Sequence, residues 1–248
     1  MLDAGMTVRL PSDEQGLSQA EEYLLLEENG EARRIRFHDY DEIFAVPGLY
    51  ETVFSDMLRC VSPEVVAALL ETALERAGQS AAELSVLDLG AGNGLVGKAL
   101  RGLGVRSVVA VDILEEAAAA ARRDRPEVYD RYHVGDVREL PADVERDLAG
   151  RGINCLVCVA ALGFGDIPPS AFEAAYRKVT PGGWVAFNIK DEFLTGGGSS
   201  EFARLIRAMI DDGRLTVCRQ HTYQHRLAVT GEPLRYVAIV ARKAATSR

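Results

Sequence analysis

The chain has 248 residues, of which 48% are hydrophobic and 26% are charged, and its formal net charge is −9 at pH 7. This size suits one α/β domain with additional elements, while the acidic balance argues against a duplex nucleic-acid partner, which needs a basic surface. No apolar run approaches the roughly 20 residues that span a bilayer, and the N-terminus lacks the apolar region of a signal peptide. We therefore expect a cytoplasmic protein with no nucleic-acid or membrane partner.

The N-terminal segment, residues 1–61, predicts a hairpin followed by a partly helical cap. Two β-prone runs flank Asn29-Gly30, a pair typical of a type I′ turn. An aromatic-rich stretch follows, with helix expected after Pro47-Gly48. Because the motifs further along leave no other large aromatic-rich segment, we predict that residues 1–61 cover the substrate. The apolar surface of this cap would come from Tyr40, Phe44, Tyr50 and Phe54.

Residues 62–248 are predicted to form the core. Ser62-Pro63 marks a helix start with Ser62 as the N-cap, and Gly78 ends that helix. From residue 84 onward strands and helices alternate, which favours a parallel sheet covered by helices on both faces. Strands are expected near 84–89, 105–112, 130–135, 153–160 and 182–189, and helices near 94–102, 114–124, 141–150, 169–179 and 200–212.

The C-terminal tail departs from this alternation. Two long β-runs are joined only by T-G-E-P, which is too short to connect parallel strands, so they predict a hairpin with one reversed strand. Together the elements predict an α/β fold with a Rossmann-like, doubly wound, seven-stranded sheet, mostly parallel and ending in an antiparallel hairpin. A hairpin at each end of the chain could support a homodimer.

The four cysteines do not predict a metal site. Cys155 and Cys158 form a C-x-x-C inside an apolar run expected to be a strand, so their side chains would point to opposite faces. Cys60 and Cys218 offer no second pair of this kind. All four are interpreted as small core residues.

The segment SVLDLGAGNGLVGKAL, residues 85–100, carries the strongest functional signal. An apolar run ends in an acid, and Gly90, Gly92 and Gly94 follow at alternate positions before an amphipathic stretch. This pattern predicts a buried strand that turns tightly into a helix, with a backbone that a ligand can approach closely. Residues 92–97 also satisfy G-x-G-x-x-G, so an NAD(P)-dependent oxidoreductase is an alternative.

Three acids at the ends of successive predicted strands narrow the choice of cofactor. Asp88 would repel a pyrophosphate but suits S-adenosylmethionine (SAM), which carries an ammonium and a sulfonium and no phosphate. Asp112, 18 residues beyond Gly94, is placed to accept ribose hydroxyls. Asp136 can accept from an adenine amine, with the N–H of Val137 serving a ring nitrogen. The carboxyl ends of parallel strands are where α/β folds bind ligands.

The chain resembles the class I SAM-dependent methyltransferases from about Ser62 to Lys243. The features that carry this resemblance are the segments VLDLGAGNG, VVAVDI, GDVREL and FEAAYRKVTPGGWVAFNIK, and the terminal hairpin. Pro181-Gly182-Gly183 before the fifth strand is typical of that family. More narrowly, VAALGFGDIPPSAFEAAYRKVTPGGWVAF is similar to the small-molecule, methyltransferase-like group related to the Williams–Beuren region protein. The chain lacks the N/D-P-P-Y/F of enzymes that methylate nucleobase or glutamine amides.

This resemblance implies methyl transfer from SAM to an O- or N-nucleophile of a small-molecule acceptor by in-line displacement. Asp88 and the glycines would hold the methionine part of SAM, and Ala160 would lie beneath the transferred methyl. The cofactor-binding residues that it implies are Asp88, Gly90, Ala91, Gly92, Gly94, Asp112, Ile113, Asp136, Val137, Ala160 and Tyr40.

A general base is required only if the acceptor is a hydroxyl or a protonated amine. Candidates are His221, Tyr223 and His225, which alternate along one β-run, and His38 in the predicted cap. For the first three, the preferred interpretation is that they are polar residues on the solvent face of the strand. Metal-assisted transfer would need clustered acids after the fourth core strand, where Asp166 stands alone. A SAM-binding protein without catalytic activity is the further alternative.

Overall fold

The N-terminal segment forms a small antiparallel sheet and two short helical elements in the computed structural model, which describes residues 2, 5–11, 17–192 and 200–245. The sheet has the order β1-β2-β3, with β1 at Met6–Arg9, β2 at Tyr23–Glu28 and β3 at Glu31–Arg36. Asn29 and Gly30 connect β2 to β3 with φ values of 53° and 83°, so the predicted type I′ hairpin is confirmed. Strand β1 was not predicted.

The helical elements are α1 at Tyr40–Ala45 and a π-helix at Glu51–Met57. Helix α1 lies before Pro47-Gly48, whereas the sequence predicted helix only after that pair. The π-helix occupies the position where that helix was expected.

A seven-stranded sheet forms the core, in the order β6-β5-β4-β7-β8-β10-β9. Its strands are β4 (Ser85–Leu89), β5 (Ser107–Asp112), β6 (Arg131–Val134), β7 (Cys155–Cys158), β8 (Trp184–Lys190), β9 (Leu215–Leu227) and β10 (Pro233–Lys243). Strands β4 to β8 are parallel, while β10 is antiparallel to both of its neighbours, β8 and β9. The predicted sheet and its terminal hairpin are therefore confirmed.

Helices cover both faces of this sheet: α2 (Ser62–Arg76), α3 (Leu95–Gly102), α4 (Glu115–Asp124), α5 (Ala142–Gly150), α6 (Pro169–Lys178) and α7 (Glu201–Asp211). Leu70 of α2 and Leu100 of α3 belong to the apolar cluster on one face, whereas Phe172 of α6 and Phe202 of α7 belong to the cluster on the other. Within the described part of the chain, no helix is long and apolar enough to cross a membrane.

The buried cysteines of β7 lie on opposite faces of the sheet, as predicted. Cys155 belongs to the cluster under α2 and α3, and Cys158 to the cluster under α6 and α7. Cys60 and Cys218 are only partly buried and pack against the edges of apolar clusters, so the prediction of core cysteines is confirmed in full only for the two cysteines of β7.

The N-terminal segment packs on the core where α1 crosses α4. Ala117 and Ala120 of α4 are fully buried, and their small side chains leave room for the ring of Phe44. The guanidinium of Arg123 then donates a hydrogen bond of 3.3 Å to the carbonyl of Phe44. The alanine-rich sequence of α4 thus brings an aromatic residue of the N-terminal segment beside the edge of the sheet that carries the predicted ligand residues.

A buried ion pair joins the same segment to the terminal hairpin. Glu22 is 1% exposed and accepts hydrogen bonds from the guanidinium of Arg226 and, at 2.7 Å, from the backbone N–H of Val229. An unpaired charge at this depth would cost several kcal/mol, so each partner requires the other in the folded protein.

Candidate active site

A cavity of about 330 Å³ lies at the carboxyl ends of β4, β5 and β7, beneath the N-terminal segment. This volume is in the range of small-molecule sites. One wall comes from the loops that follow the three strands, and the facing wall from α1 and the π-helix. The charged residues that line it are mainly acidic: Asp41, Glu64, Asp112, Asp136 and Asp166, together with Arg138.

The glycine-rich loop after β4 forms the floor of this cavity. Gly90 and Gly92 line it and have φ values of +70° and +53°, in the left-handed region that favours glycine. A Cβ on Gly90 would lie 2.7 Å from the side chain of Ile167, and a Cβ on Gly92 would lie 3.1 Å from the ring of Phe44. Gly90 therefore leaves room for Ile167 of the loop after β7, and Gly92 leaves room for Phe44 of the facing wall.

Of the other predicted loop residues, one lines the cavity and one lies behind the loop at the start of α3. Ala91 lines the cavity. Gly94 begins α3 at φ +90°, and a Cβ there would face Tyr129 and Arg125. Its place in the structure is therefore explained by the turn into α3 and the packing behind the loop.

Asp88, the predicted partner of the cofactor's ammonium, is fully buried behind the glycine loop. Its Oδ2 accepts a hydrogen bond of 2.7 Å from the hydroxyl of Tyr129, while its Oδ1 has no partner in the described structure. Burial raises the pKa of this carboxyl to about 7, although the hydrogen bond from Tyr129 acts in the opposite direction. Asp88 thus holds one unsatisfied buried acceptor next to the loop, but it is not among the described residues that line the cavity.

Asp112, the predicted ribose ligand, lies at the end of β5 and fixes the glycine loop from the side. Its Oδ2 accepts from the N–H of Gly92 at 2.9 Å, and its Oδ1 from the N–H of Leu114 at 3.0 Å. Burial raises the pKa of Asp112, whereas these backbone hydrogen bonds lower it. The next residue, Ile113, is apolar yet 65% exposed, and it lines the cavity. An acid and an exposed apolar side chain thus stand together at the cavity mouth.

Asp136 and Val137, the predicted adenine contacts, line the cavity beyond β6. The side chain of Arg138 donates hydrogen bonds of 2.9 Å to both carboxylate oxygens of Asp136 and holds the pKa of that carboxyl below its ordinary value. Arg138, the arginine of the cavity wall, is therefore neutralised by its neighbour.

Ala160 lines the cavity just after β7 and has an unusual backbone, with φ +57°. Its N–H donates a hydrogen bond of 2.6 Å to Oδ1 of Asn188 on β8. The amide nitrogen of Asn188 in turn donates to Ser62 at 3.0 Å and to the hydroxyl of Tyr223 at 2.8 Å. Ser62 is the first residue of α2, and its hydroxyl joins this network; the prediction that it caps the helix is wrong.

The candidate bases on β9 are not brought to the cavity. Tyr223 and His225 are buried and bond to Ser62 at 2.5 and 2.6 Å, so the interpretation that they face solvent is wrong. Burial holds the pKa of His225 well below its ordinary value, which keeps the imidazole neutral. His221 is exposed and stacks beside Tyr223. None of the three is among the described residues that line the cavity.

His38 does line the cavity, and it contacts an acid from the other wall. Its Nδ1 lies 3.0 and 3.1 Å from the two carboxylate oxygens of Asp166. Asp166 belongs to the loop between β7 and α6 and lines the cavity as well. Of the candidate bases, His38 is the one that the fold places at the cavity.

An aromatic ladder from the N-terminal segment covers the cavity, and its members are Tyr40, Phe44, Tyr50 and Phe54. Successive ring centroids are 5.9, 5.2 and 4.6 Å apart. These are the four aromatic residues that the sequence singled out.

Hydrogen bonds connect the π-helix to the glycine loop beside this ladder. Glu51 accepts hydrogen bonds of 2.7 Å from the side chain of Asn93 in the loop and from Arg125. Arg125 also donates to the carbonyl of Asn93 at 2.9 Å. The sequence analysis did not identify Glu51, Asn93 or Arg125, because nothing local relates an acid in the N-terminal segment to a turn about 40 residues later.

Comparison with known proteins agrees with this architecture. Residues 87–187 match the family model described as a methyltransferase domain. A SAM-dependent methyltransferase from Clostridium acetobutylicum aligns with 79% of this chain and 96% of its own, at 12% identity and a TM-score of 0.54. A putative RNA methyltransferase from Pyrococcus horikoshii aligns with 73% of this chain and 84% of its own, at 18% identity and a TM-score of 0.53.

A third solved structure was determined with a ligand. Magnesium protoporphyrin IX methyltransferase from Synechocystis, with bound SAM, aligns with 73% of this chain and 79% of its own, at 14% identity and a TM-score of 0.51. No curated protein matches this chain. The matches agree with the resemblance drawn from the sequence: residues 87–187 match a methyltransferase-domain model, and the fold is that of the class I SAM-dependent methyltransferases.

Proposed function

We propose that the protein transfers a methyl group from SAM to a small-molecule acceptor, and that residues 1–61 form the cap over both ligands. The observation that carries this proposal is the acid-lined cavity beneath the aromatic ladder. A ladder that stacks against the glycine loop leaves room for a small acceptor, whereas a macromolecular substrate needs an open surface.

The residues present fit SAM. Its ammonium and sulfonium are cations, and they suit a site in which five carboxylates line the cavity and the arginine is already paired. The unsatisfied Oδ1 of Asp88 and the Cβ-free floor at Gly90 and Gly92 suit the methionine part. Asp112 would accept from the ribose, and Ile113 and Val137 would enclose the adenine, with Asp136 at its edge. Tyr40 of the ladder would lie against the cofactor, and Ala160 would lie by the methyl.

SAM supplies a methyl carbon made electrophilic by positive sulfur. The chain must then align the acceptor with that carbon and exclude water, which the docked cap favours. The strained backbone at Ala160, fixed by Asn188, would hold the wall of the cavity beside the reacting atoms in one position.

The cofactor assignment is tested by calorimetric titration with S-adenosylhomocysteine (SAH), with NADH as a parallel ligand. We expect micromolar binding of SAH and none of NADH. Gly92→Val should abolish SAH binding, because the side chain would enter the space beneath Phe44. Gly104→Val is the matched control, since Gly104 has φ +86° and a Cβ there meets nothing within 4 Å. Binding of NADH in place of SAH would overturn the proposal.

The acceptor class is tested by SAM turnover with a small-molecule library and, separately, with bulk transfer RNA. We expect turnover from the library and none from RNA, because the chain carries a net charge of −9 and its cavity is acidic. Turnover with RNA alone would contradict a small-molecule acceptor. SAH binding without turnover in either arm would favour a SAM-binding protein that lacks catalytic activity.

A further inference from the structure

Among the residues that the structure describes, His38 and Asp166 are the titratable side chains from the two walls of the cavity that pair directly across it. The two residues are 128 positions apart in the chain. Their side chains are both about three-quarters buried, so the pair is partly shielded from solvent. A pair of this kind, inside a ligand cavity and outside the predicted cofactor contacts, points to a role toward the acceptor.

The geometry of the pair orients the imidazole. A carboxylate only accepts hydrogen bonds, so the nitrogen that faces Asp166, Nδ1, carries the proton. When the imidazole is neutral, the other nitrogen, Nε2, is a free acceptor, and no described residue bonds to it. The ring of His38 is also held by Phe164, at 5.5 Å between centroids, and by Tyr40, edge-to-face at 6.0 Å. A neutral histidine held in this way is arranged to take a proton.

The pair lies next to the place where the methyl donor would bind. Ile167, the residue after Asp166, packs so closely over the glycine loop that a Cβ on Gly90 would lie 2.7 Å from it. Ala161 approaches the same point, at 3.3 Å. The loop that positions Asp166 is therefore also the loop that walls the predicted methionine site.

We propose that His38 is the general base of the methyl transfer, that Asp166 is its positioning residue, and that the acceptor presents a phenol-type hydroxyl. This inference rests on the proposed function. In the step, Nε2 of His38 takes the proton of the O–H group while the oxygen bonds to the methyl carbon. The bond from that carbon to sulfur breaks, and its electron pair stays on sulfur. The products are a methyl ether, SAH and a proton, which His38 afterwards releases to water.

A base and aromatic rings on the same wall of the cavity favour a phenol-type acceptor. A carboxylate acceptor is already anionic and a neutral amine already has its lone pair, so neither needs a base. A phenol is far more acidic than an aliphatic alcohol, which brings its proton within reach of an imidazole. The aromatic ladder beside His38 also offers flat apolar surfaces on which an aromatic ring can pack.

The test uses 4-nitrophenol as the probe and the SAH-loaded full-length protein, because the phenolate of this probe absorbs visible light and its neutral form does not. At a mildly acidic pH, where the free probe is mostly neutral, we expect the bound probe to show several-fold more phenolate than the free probe. His38→Gln should remove this gain, and Asp166→Asn should reduce it while the probe still binds. With SAM in place of SAH, His38→Gln should lower the rate of methyl transfer to plain phenol by about 10²–10⁴-fold and that to 4-nitrophenol by much less, because the ionised form of 4-nitrophenol needs no base.

His133→Gln is the matched control, since His133 also pairs with an aspartate, Asp147 at 3.2 Å, but neither lines the cavity. This variant should behave as the wild type does. No binding of the probe, binding without ionisation, or unchanged ionisation in a folded His38→Gln would each overturn the inference. SAH calorimetry on the same samples distinguishes failure of this inference from failure of the proposed function, because a wild-type protein that does not bind SAH would overturn the proposed function itself.

Discussion

Replacing Asp88 with asparagine should change how the stability of the protein depends on pH. The carboxyl is fully buried, one of its oxygens has no partner, and burial raises its pKa to about 7. Asparagine keeps an oxygen that can accept from Tyr129 but does not titrate. The comparison of the two proteins therefore isolates the cost of ionising this one group.

The sign and size of the effect follow from the two pKa values. The unfolded carboxyl titrates near 3.8 and the folded one near 7. Between these values the folded state retains a proton that the unfolded state has released, so the free energy of unfolding falls as the pH rises from about 4 to 7 and levels off above that. At about 1.4 kcal/mol per pH unit, the three-unit difference corresponds to about 4 kcal/mol.

The measurement is urea unfolding of the wild type and Asp88→Asn at a series of pH values across this interval. The stability of the variant relative to the wild type should increase toward neutral pH by up to about 4 kcal/mol. Asp212→Asn is the control, because the backbone N–H of Arg214 holds the pKa of exposed Asp212 below its ordinary value, so its difference from the wild type should stay constant across this interval and change only below about pH 4. A difference between wild type and Asp88→Asn that stays constant with pH would refute the reasoning.

Three other substitutions test separate parts of the structure. Gly97→Ala should cost about 1–3 kcal/mol of stability in thermal unfolding, because its Cβ would lie 2.3 Å from a valine side chain, whereas Gly102→Ala on the same helix meets nothing within 4 Å and should cost nothing. Asp112→Ala should weaken SAH binding more than tenfold in calorimetry, since ribose hydroxyls lose a charged acceptor; unchanged affinity would remove the ribose role. Asn188→Ala should lower the free energy of unfolding by about 1–3 kcal/mol, because the N–H of Ala160 loses its acceptor and the hydroxyls of Ser62 and Tyr223 each lose a donor, and a neutral result would contradict a structural role for that network.

The parts of the site that depend on neighbouring residues were predictable from the sequence. The turn after Asp88 needs glycines because of its backbone, and Asp112 and Asp136 follow strands whose apolar runs are visible in the sequence. Since parallel strands end at one edge of a sheet, predicting the strands also places these acids together. The reversed strand β10 was likewise predictable, because the connection before it is too short for a parallel pair.

The parts that depend on distant contacts were not predictable. Asp166 looked like an isolated acid, and its partner His38 comes from a segment whose docking on the core leaves no local pattern. Ser62 has the sequence signature of an N-cap, yet its hydroxyl is used by a buried network that needs β8 and β9 in place. His225 and Tyr223 alternate like solvent-facing residues, and only the packing of α2 on that strand buries them.

The ion pair between Glu22 and Arg226 bears on how the chain is made as well as on how it holds together. During synthesis the N-terminal residues emerge from the ribosome long before Arg226 and Val229. Glu22 therefore stays exposed to water until its partners, about 200 residues later in the chain, have been made. The sheet β1-β2-β3 can form early, whereas its ion pair with the terminal hairpin can form only after residue 229 has been made. Premature termination within the final hairpin would therefore leave Glu22 without its partners, and only the contacts of α1 and the π-helix would then hold the N-terminal segment on the core.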